Sequence, residues 1–277
     1  MEAALGPLRV LRTQRRGHGV ELTREAIAGG AKRVFAFGGD GTWHEAVGGY
    51  FATPESARAG AVLAPLPAGS GCDFARHIKL PLSPGAAARA LAKGAPRGID
   101  VVRAKRPGLP PCYLTNMAGT GLAADAAELV DRWGKPLGGT ASYLVAVVAL
   151  LLTRPSRRYR LTLDGVDASG SYHAVILCNT ETTGGGMRAA PGADLHDGLV
   201  DVLTVAESGK FGLMARLAKL YDGTHVAEPG VLLRRARNVE LAAEGPAGLN
   251  FDGEPAGGLP ASFEVLPGVL PVILPLS

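Results

Sequence analysis

Aromatic residues are scarce in this chain: Phe, Trp and Tyr together make up 5% of its 277 residues. That scarcity argues against stacked-base recognition of single-stranded nucleic acid, and no nucleic-acid partner is expected. Cysteine is scarcer still. Cys72, Cys112 and Cys178 form an odd, widely spaced set, neither a disulfide framework nor a zinc site. A reducing cytoplasm is the simple inference. Long apolar runs are also missing. The longest, residues 143–152, is about half of what a membrane-spanning helix needs. Residues 1–16 are arginine-rich but lack the apolar stretch of a secretory signal. The expectation is a cytoplasmic protein, soluble or peripheral at a membrane.

What is present supports a folded enzyme-sized chain. Apolar residues make up 47% and charged residues 19%, enough for a substantial core and against global disorder. With 39 glycines and 20 prolines, many turns are expected. The net charge of +4 is uneven. Residues 1–99 hold 13 Lys/Arg against 7 Asp/Glu, and the remainder 16 against 18. A basic N-terminal part suits a phosphate-bearing ligand or an anionic surface. Charge alone favours the plainer reading of a solvated face.

Along residues 1–99 short apolar runs alternate with helical spacing. An apolar run at 8–11 is followed by Thr13. Residues 20–28 look helical and end at Gly29-Gly30. Residues 34–37 form an apolar strand running into glycines, 42–50 a helix, and 61–66 the next buried strand. Further helices are expected at 73–78 and 84–93, the latter with Ser83 as N-cap. Such alternation means a parallel α/β sheet. After residue 98 the rhythm changes. Tyr159, Leu161 and Leu163 alternate with Arg158, Arg160 and Thr162, and further strands are expected at 172–178, 199–205, 239–242, 249–251 and 263–266. Helices at 141–152 and 210–221 interrupt them. A β-sandwich or open barrel fits. The boundary between an α/β domain, 1–97, and a β domain, 98–277, is placed at 94–100, where Gly94, Pro96 and Gly98 cluster. The last residues are free to return to the first domain.

Four motifs carry chemistry. Gly38-Gly39-Asp40-Gly41-Thr42 follows a strand and opens a helix. Glycines there allow φ > 0 and close backbone approach, and a helix N-terminus offers free N–H groups to an anion. The string matches neither of the common nucleotide-loop patterns, and a phosphate site and a tight turn fit it equally. Pro67-Ala68-Gly69-Ser70-Gly71-Cys72-Asp73-Phe74-Ala75-Arg76 repeats the same order of strand, glycine loop, hydroxyl and helix. Both loops would lie at the C-terminal ends of parallel strands, where open sheets bind ligands, and the pair favours phosphate. Gly184-Gly185-Gly186-Met187 precedes Asp194-Leu195-His196-Asp197-Gly198-Leu199. Asp194 and Asp197 could share a hard cation with backbone carbonyls, although spacing alone favours a solvated turn. In Phe251-Asp252-Gly253-Glu254-Pro255 two carboxylates flank a glycine at a strand end. Such a group can accept a hydroxyl proton as a phosphoryl group arrives, although alone the motif reads as an Asp-Gly turn.

In order and spacing the four motifs resemble the diacylglycerol kinase catalytic-domain superfamily of soluble lipid kinases, which includes bacterial diacylglycerol kinases, sphingosine kinases and ceramide kinases. The resemblance runs from about Leu8 to the C-terminus. It takes in Asn116-Met117-Ala118-Gly119-Thr120-Gly121, Ser142-Tyr143-Leu144 and Leu266-Pro267-Gly268. It implies an NAD-kinase-like α/β nucleotide domain, a mainly antiparallel C-terminal β-sandwich, and ATP in the cleft between them. Gly38, Gly39, Asp40, Gly41, Thr42, Trp43 and His44 would hold ATP, with Asp40 meeting the nucleotide or its metal and Glu45 at the usual acidic position. Thr13 and Ser70 would touch nucleotide, and Asp73 and Arg76 match the family's Asp-Phe-Ala-Arg. Asp194, Asp197 and Leu199 match a metal-binding loop, Asp194 and Leu199 through their carbonyls. Asp252 and Glu254 match the Asp-Gly-Glu that carries the general base, and the two rank nearly equal. Two departures stand out. Cys72 replaces a usual asparagine. The sequence also begins after the family's opening strand and Asn-Pro-x-x-Gly loop, which implies either a start farther upstream or a nucleotide site lacking that edge.

The implied activity is transfer of the ATP γ-phosphate, with Mg²⁺, to a lipid hydroxyl, most simply converting diacylglycerol to phosphatidic acid. The alternatives are an NAD kinase, which shares Gly-Gly-Asp-Gly-Thr, and a non-catalytic lipid- or nucleotide-binding relative. A lipid substrate requires transient peripheral contact at the inner face of the membrane. Arg154, Arg157, Arg158 and Arg160 are candidates for that contact, against the slightly favoured reading of a solvated strand edge. A homodimer is compatible with the sequence, which does not fix oligomeric state.

Overall fold

The computed structural model describes residues 1–133, 139–207 and 209–276. Helices α1 (Glu2–Leu5), α2 (His18–Ala28), α3 (Asp40–Ala52), α4 (Glu55–Arg58), α5 (Asp73–His77) and α6 (Pro84–Lys93) alternate with strands β1 (Arg33–Gly38) and β2 (Val62–Pro67). β1 and β2 are parallel and in step from Arg33 opposite Val62 to Gly38 opposite Pro67. Both glycine loops therefore leave the sheet side by side. Ala86 N–H donates to Ser83 Oγ at 3.4 Å, the expected N-cap of α6. Ile27, Ala36, Trp43, Val47, Leu63 and Phe74 join one buried core. Each large apolar side chain so buried contributes about 1.5–3 kcal/mol. The apolar run at 8–11 forms no strand, and Val10 is 72% exposed.

A second set of strands follows: β3 (Ala95–Lys105), β4 (Cys112–Leu114), β5 (Met117–Gly121), β6 (Arg157–Leu163), β7 (Val166–Asp167), β8 (Gly170–Cys178), β9 (Val200–Ala206), β10 (Val231–Ala236), β11 (Asn238–Ala243), β12 (Gly248–Phe251), β13 (Glu254–Gly258) and β14 (Ala261–Leu274). Their pairings are antiparallel, except that Val272 of β14 lies parallel to Leu63 of β2. One path runs β1-β2-β14-β11-β6-β8-β5-β12-β13. The architecture is thus a parallel α/β N-terminal part joined to a mainly antiparallel β part. The alternation at 159–163 is realised in β6, whose Tyr159, Leu161 and Leu163 enter a core with Val175, Val202 and Phe263. Helices α7 (Leu122–Trp133), α8 (Gly139–Thr153) and α9 (Lys210–Lys219) share a separate apolar cluster that includes Leu122, Val147, Leu151, Leu213 and Leu217.

The Gly/Pro cluster at 94–100 is strand. β3 pairs with β14 along its whole length, Ala95–Ile99 against Leu270–Leu274 and Val101–Lys105 against Ser262–Leu266. Two of its glycines mark close backbone approach. A Cβ on Gly94 would lie 2.3 Å from the Leu274 carbonyl oxygen, and one on Gly98 2.4 Å from that of Gly268. Between Leu266 and Leu270 the register shifts. Buried Asp100 fastens this bulge, accepting from Gly268 N–H at 2.8 Å and Gly198 N–H at 2.6 Å.

Candidate functional site

Where β1 and β2 end, the two glycine loops touch. Ala68 N–H donates to Gly38 O at 2.9 Å. A Cβ on Gly69 would stand 2.6 Å from Gly39 Cα, and one on Gly38 2.2 Å from Thr42 Oγ1. None of Gly38, Gly39, Gly41, Gly69 and Gly71 has positive φ. These glycines supply room for one backbone against another, not the left-handed conformation the sequence suggested. Cys72 carries that conformation instead, with φ 54° just before α5.

Carboxylates stitch the loops together. The Asp40 carboxylate accepts from Asp73 N–H at 3.1 Å, Phe74 N–H at 3.3 Å and Asn116 Nδ2 at 3.2 Å. It thereby caps α5. Burial raises its pKa, and the nearby Asp252 charge adds to this against the pull of the two backbone N–H groups. Asp73 in turn accepts from Gly185 N–H at 2.8 Å and Gly186 N–H at 2.9 Å. Gly184, Gly185 and Gly186 all have positive φ, so the third glycine motif wraps its amides around that carboxylate. Burial, reinforced by Asp40, pushes Asp73 up to about 6. Glu45 caps α2, accepting from Gly17 and Gly19 N–H, both at 2.7 Å. Asp252 is fully enclosed. One oxygen accepts from Asn116 and Met117 N–H at 3.1 and 2.9 Å, and the other lies 2.8 Å from His44 Nδ1. Burial is the largest single influence and would lower the His44 pKa, but the interactions with Asp252 and Cys112 together outweigh it and lift the imidazole to about 10.

Glu254 differs from these four. Its side chain is 35% exposed, and its partner is the Arg16 guanidinium, which also lies 3.6 Å from Asp131. Glu254 borders a cleft of about 230 Å³ together with Gly39, Asp40, Gly41, Ser70 and Asp252. A Cβ on Gly41 would lie 3.4 Å from Glu254 Oε1, so the first loop and this carboxylate face each other closely. α3 starts at Asp40, two residues before its apolar spacing begins, and its N-cap Gly39 has no side chain to occupy the first-turn N–H groups. That end of α3 can receive an anion.

The other expected site residues lie elsewhere. Trp43 is in the core, 2% exposed, donating from Nε1 to Thr115 Oγ1 at 2.8 Å and stacked on Phe74. Thr42 folds against Gly38. His44 meets Asp252 and does not border the cleft. Thr13 is exposed in an irregular stretch away from the cleft lining. Arg76 braces the second loop, donating from Nε to Gly71 O at 2.9 Å. The loop bearing Asp194, Asp197 and Leu199 is also outside the cleft lining. Asp194 Oδ1 accepts from His196 N–H at 3.0 Å and Asp197 Oδ1 from Leu199 N–H at 2.9 Å, while Asp197 Oδ2 faces Arg235 at 3.7 Å. The Asp197 side chain is thus turned to a guanidinium, which leaves backbone carbonyls as the loop's candidate cation ligands. Among the described residues no three His, Cys, Asp or Glu side chains gather to hold one. Of the arginines after α8, Arg157 grips Asp125 with two nitrogens, Arg154 lies 3.9 Å from the same carboxylate, and Arg158 pairs with Glu244. No helix among the described residues is long and apolar enough to cross a membrane.

Two site residues escaped the sequence reading. Arg16 belongs to the noted basic N-terminus, but nothing local ties it to Glu254. Asn250 borders the cleft with Asn116, and the side-chain oxygens of both are buried without a hydrogen-bond partner. Asn250 lies on β12 and Asp252 in the turn after it, so strand alternation does not link the two.

Comparison with known proteins agrees with this arrangement. Residues 1–104 match the family described as diacylglycerol kinase catalytic domain, and residues 116–274 match the YegS C-terminal NAD kinase beta sandwich-like domain. A relative named "Probable lipid kinase YegS-like" from Chromohalobacter salexigens is 31% identical over 94% of this chain and 81% of its own length. A diacylglycerol kinase of Mycobacterium tuberculosis is 29% identical over 92% of this chain and 80% of its own. The crystal structure of a diacylglycerol kinase from Bacillus anthracis superposes with a TM-score of 0.72 over 98% of this chain and 86% of that one, at 21% identity, a likeness of fold. The chain belongs to the lipid kinase family built from a diacylglycerol kinase catalytic domain followed by a YegS-type β-sandwich-like domain.

Proposed function

We propose that this protein transfers the γ-phosphate of ATP to the hydroxyl of a diacylglycerol-class lipid. The observation that carries the reading is the opposition of Glu254 and the open N-terminus of α3 across one cleft. The amides at Gly39–Thr42 bind phosphate oxygens, and the helix end favours their charge. Glu254 is the base: its carboxylate turns toward the cleft, whereas Asp252 is held by two amides and an imidazole. As the phosphoryl group reaches the lipid oxygen, Glu254 takes the hydroxyl proton. Asp40 is a positioning residue that fixes α5 and Asn116. Magnesium bound with the nucleotide would supply charge neutralisation at the transferred phosphoryl group.

An apolar cavity of about 100 Å³ favours a lipid over NAD as acceptor. It is lined by Leu122, Val147, Leu151, Met187, Leu213 and Leu217, and shares Met117 and Thr183 with the cleft. Trp133, Val145 and Met214 are exposed on the three surrounding helices and supply the apolar contact with a membrane. The test offers labelled ATP and Mg²⁺ to diacylglycerol in mixed micelles and, in parallel, to NAD. The expected result is label in the organic phase only. Label in water-soluble NADP, or nucleotide binding without transfer, would overturn the reading.

A further inference from the structure

Beside the cleft, Cys112, His44 and Asp252 stand in line. Cys112 Sγ is 3.6 Å from His44 Nε2, and His44 Nδ1 is 2.8 Å from Asp252 Oδ2. A nucleophile, an imidazole and a carboxylate orienting that imidazole form the arrangement that activates a thiol. Cys112 is partly exposed on β4, which among the described residues pairs only with β3. Pro110 and Pro111 before it are exposed, so a small reagent can approach. We propose that Cys112 is a reactive thiol site, activated by the adjacent His44 imidazole and oxidised by small peroxides.

The two other cysteines show what sets this one apart. Cys72 is 4% exposed and Cys178 1% exposed, and burial pushes both thiols up. Neither has an imidazole among its hydrogen-bond partners. At Cys112 the cation is built in. Asp252 and Cys112 together, against burial, lift the His44 imidazole to about 10, and a thiolate beside an imidazolium is the reactive form of cysteine. In the proposed step the Cys112 sulfur attacks one oxygen of hydrogen peroxide. The S–O bond forms as the O–O bond breaks, sulfur loses two electrons and the peroxide gains them. The departing hydroxide takes the proton from His44 Nε2 and leaves as water, giving a sulfenic acid and a neutral imidazole. None of this requires the kinase reading.

The experiment treats the whole protein with hydrogen peroxide and dimedone at neutral pH, then measures adduct formation at each cysteine by mass spectrometry. Cys112 is expected to react about tenfold faster than an unstructured cysteine peptide, because the adjacent imidazole assists the attacking sulfur. Cys72 and Cys178 are expected to stay unlabelled. His44→Gln, shown folded by circular dichroism, is expected to bring Cys112 down to the peptide rate. If Cys112 in the unaltered protein reacts no faster than the peptide, or if folded His44→Gln reacts as fast as the original, the proposal fails. The first comparison needs no variant.

Discussion

The two glycine loops look interchangeable in sequence and do opposite things in the fold. Each follows a parallel strand and opens a helix. The second delivers α5, whose first amides are already occupied by Asp40 from the first loop. The first delivers α3, whose N-cap is a bare glycine. A free helix end is therefore not a property of a glycine motif but of what its neighbours leave unbonded. The same contrast separates the acids. Asp40, Glu45, Asp73 and Asp252 all hold backbone amides, whereas among the described residues the partner of Glu254 is the exposed Arg16.

The largest expected effect comes from the acid left to the cleft. Glu254→Gln should lower turnover about 10²–10⁴-fold, the usual worth of a general base. Its melting temperature should barely move, because an exposed ion pair is worth about 0–1 kcal/mol. Steady-state kinetics beside a thermal melt would check both; a variant that keeps full turnover would remove Glu254 from the chemistry.

Next is the acid that fills the second loop. Asp40→Ala strips the cap from α5 and leaves Asn116 Nδ2 without its partner, which should cost about 1–3 kcal/mol. Asp40→Asn, with one acceptor oxygen retained, should recover part of that loss in chemical denaturation. Equal stability of all three proteins would mean that α5 needs no cap.

Two raised pKa values should lower stability as pH rises. His44 has a folded pKa raised to about 10 from 6.5, so the stability it contributes is complete below 6.5 and is lost as pH rises through 10. Asp73, raised to about 6 from 3.8, contributes stability that is complete below 3.8 and is lost as pH rises through 6. Melting temperature should therefore fall from pH 6 to pH 10, and His44→Gln should flatten that limb. A melting temperature that rises toward pH 10 would contradict the His44–Asp252 pairing.

The smallest effect sharpens the comparison at the second loop itself. Cys72 takes a left-handed conformation that asparagine tolerates better. Its sulfur sits 3.4 Å from Gly69 O, where an amide nitrogen could donate. Cys72→Asn should stabilise the protein by about 1 kcal/mol, read as a shift in denaturation midpoint.

Much of this was legible in the residues, and the limits have physical causes. The period-2 pattern at 159–163 and the Ser83 cap were local signals, and local structure followed them. The Gly94–Asp100 stretch could not be read as strand because glycine has two uses. Chain reversal and close approach of a distant strand look alike until β14 is placed beside β3. Within the candidate site, the motifs marked loops that the fold brings together but not which side chains face the cleft. Trp43 belongs to the core because α3 turns that face toward Phe74. Asp252 and Glu254, two residues apart, were indistinguishable in sequence. What separates them is the distance from Asp252 to His44 and to the amides of Asn116 and Met117, more than a hundred residues away along the chain.

The central claim is that nucleotide phosphate meets the open end of α3 and not the filled end of α5. Backbone amide NMR on the folded protein, with a non-hydrolysable ATP analogue and Mg²⁺ added, tests it directly. Large shifts are expected at Asp40, Gly41 and Thr42, with Asp73 and Phe74 little changed because Asp40 still holds them. Large shifts at Asp73 and Phe74, with the α3 amides unmoved, would contradict it.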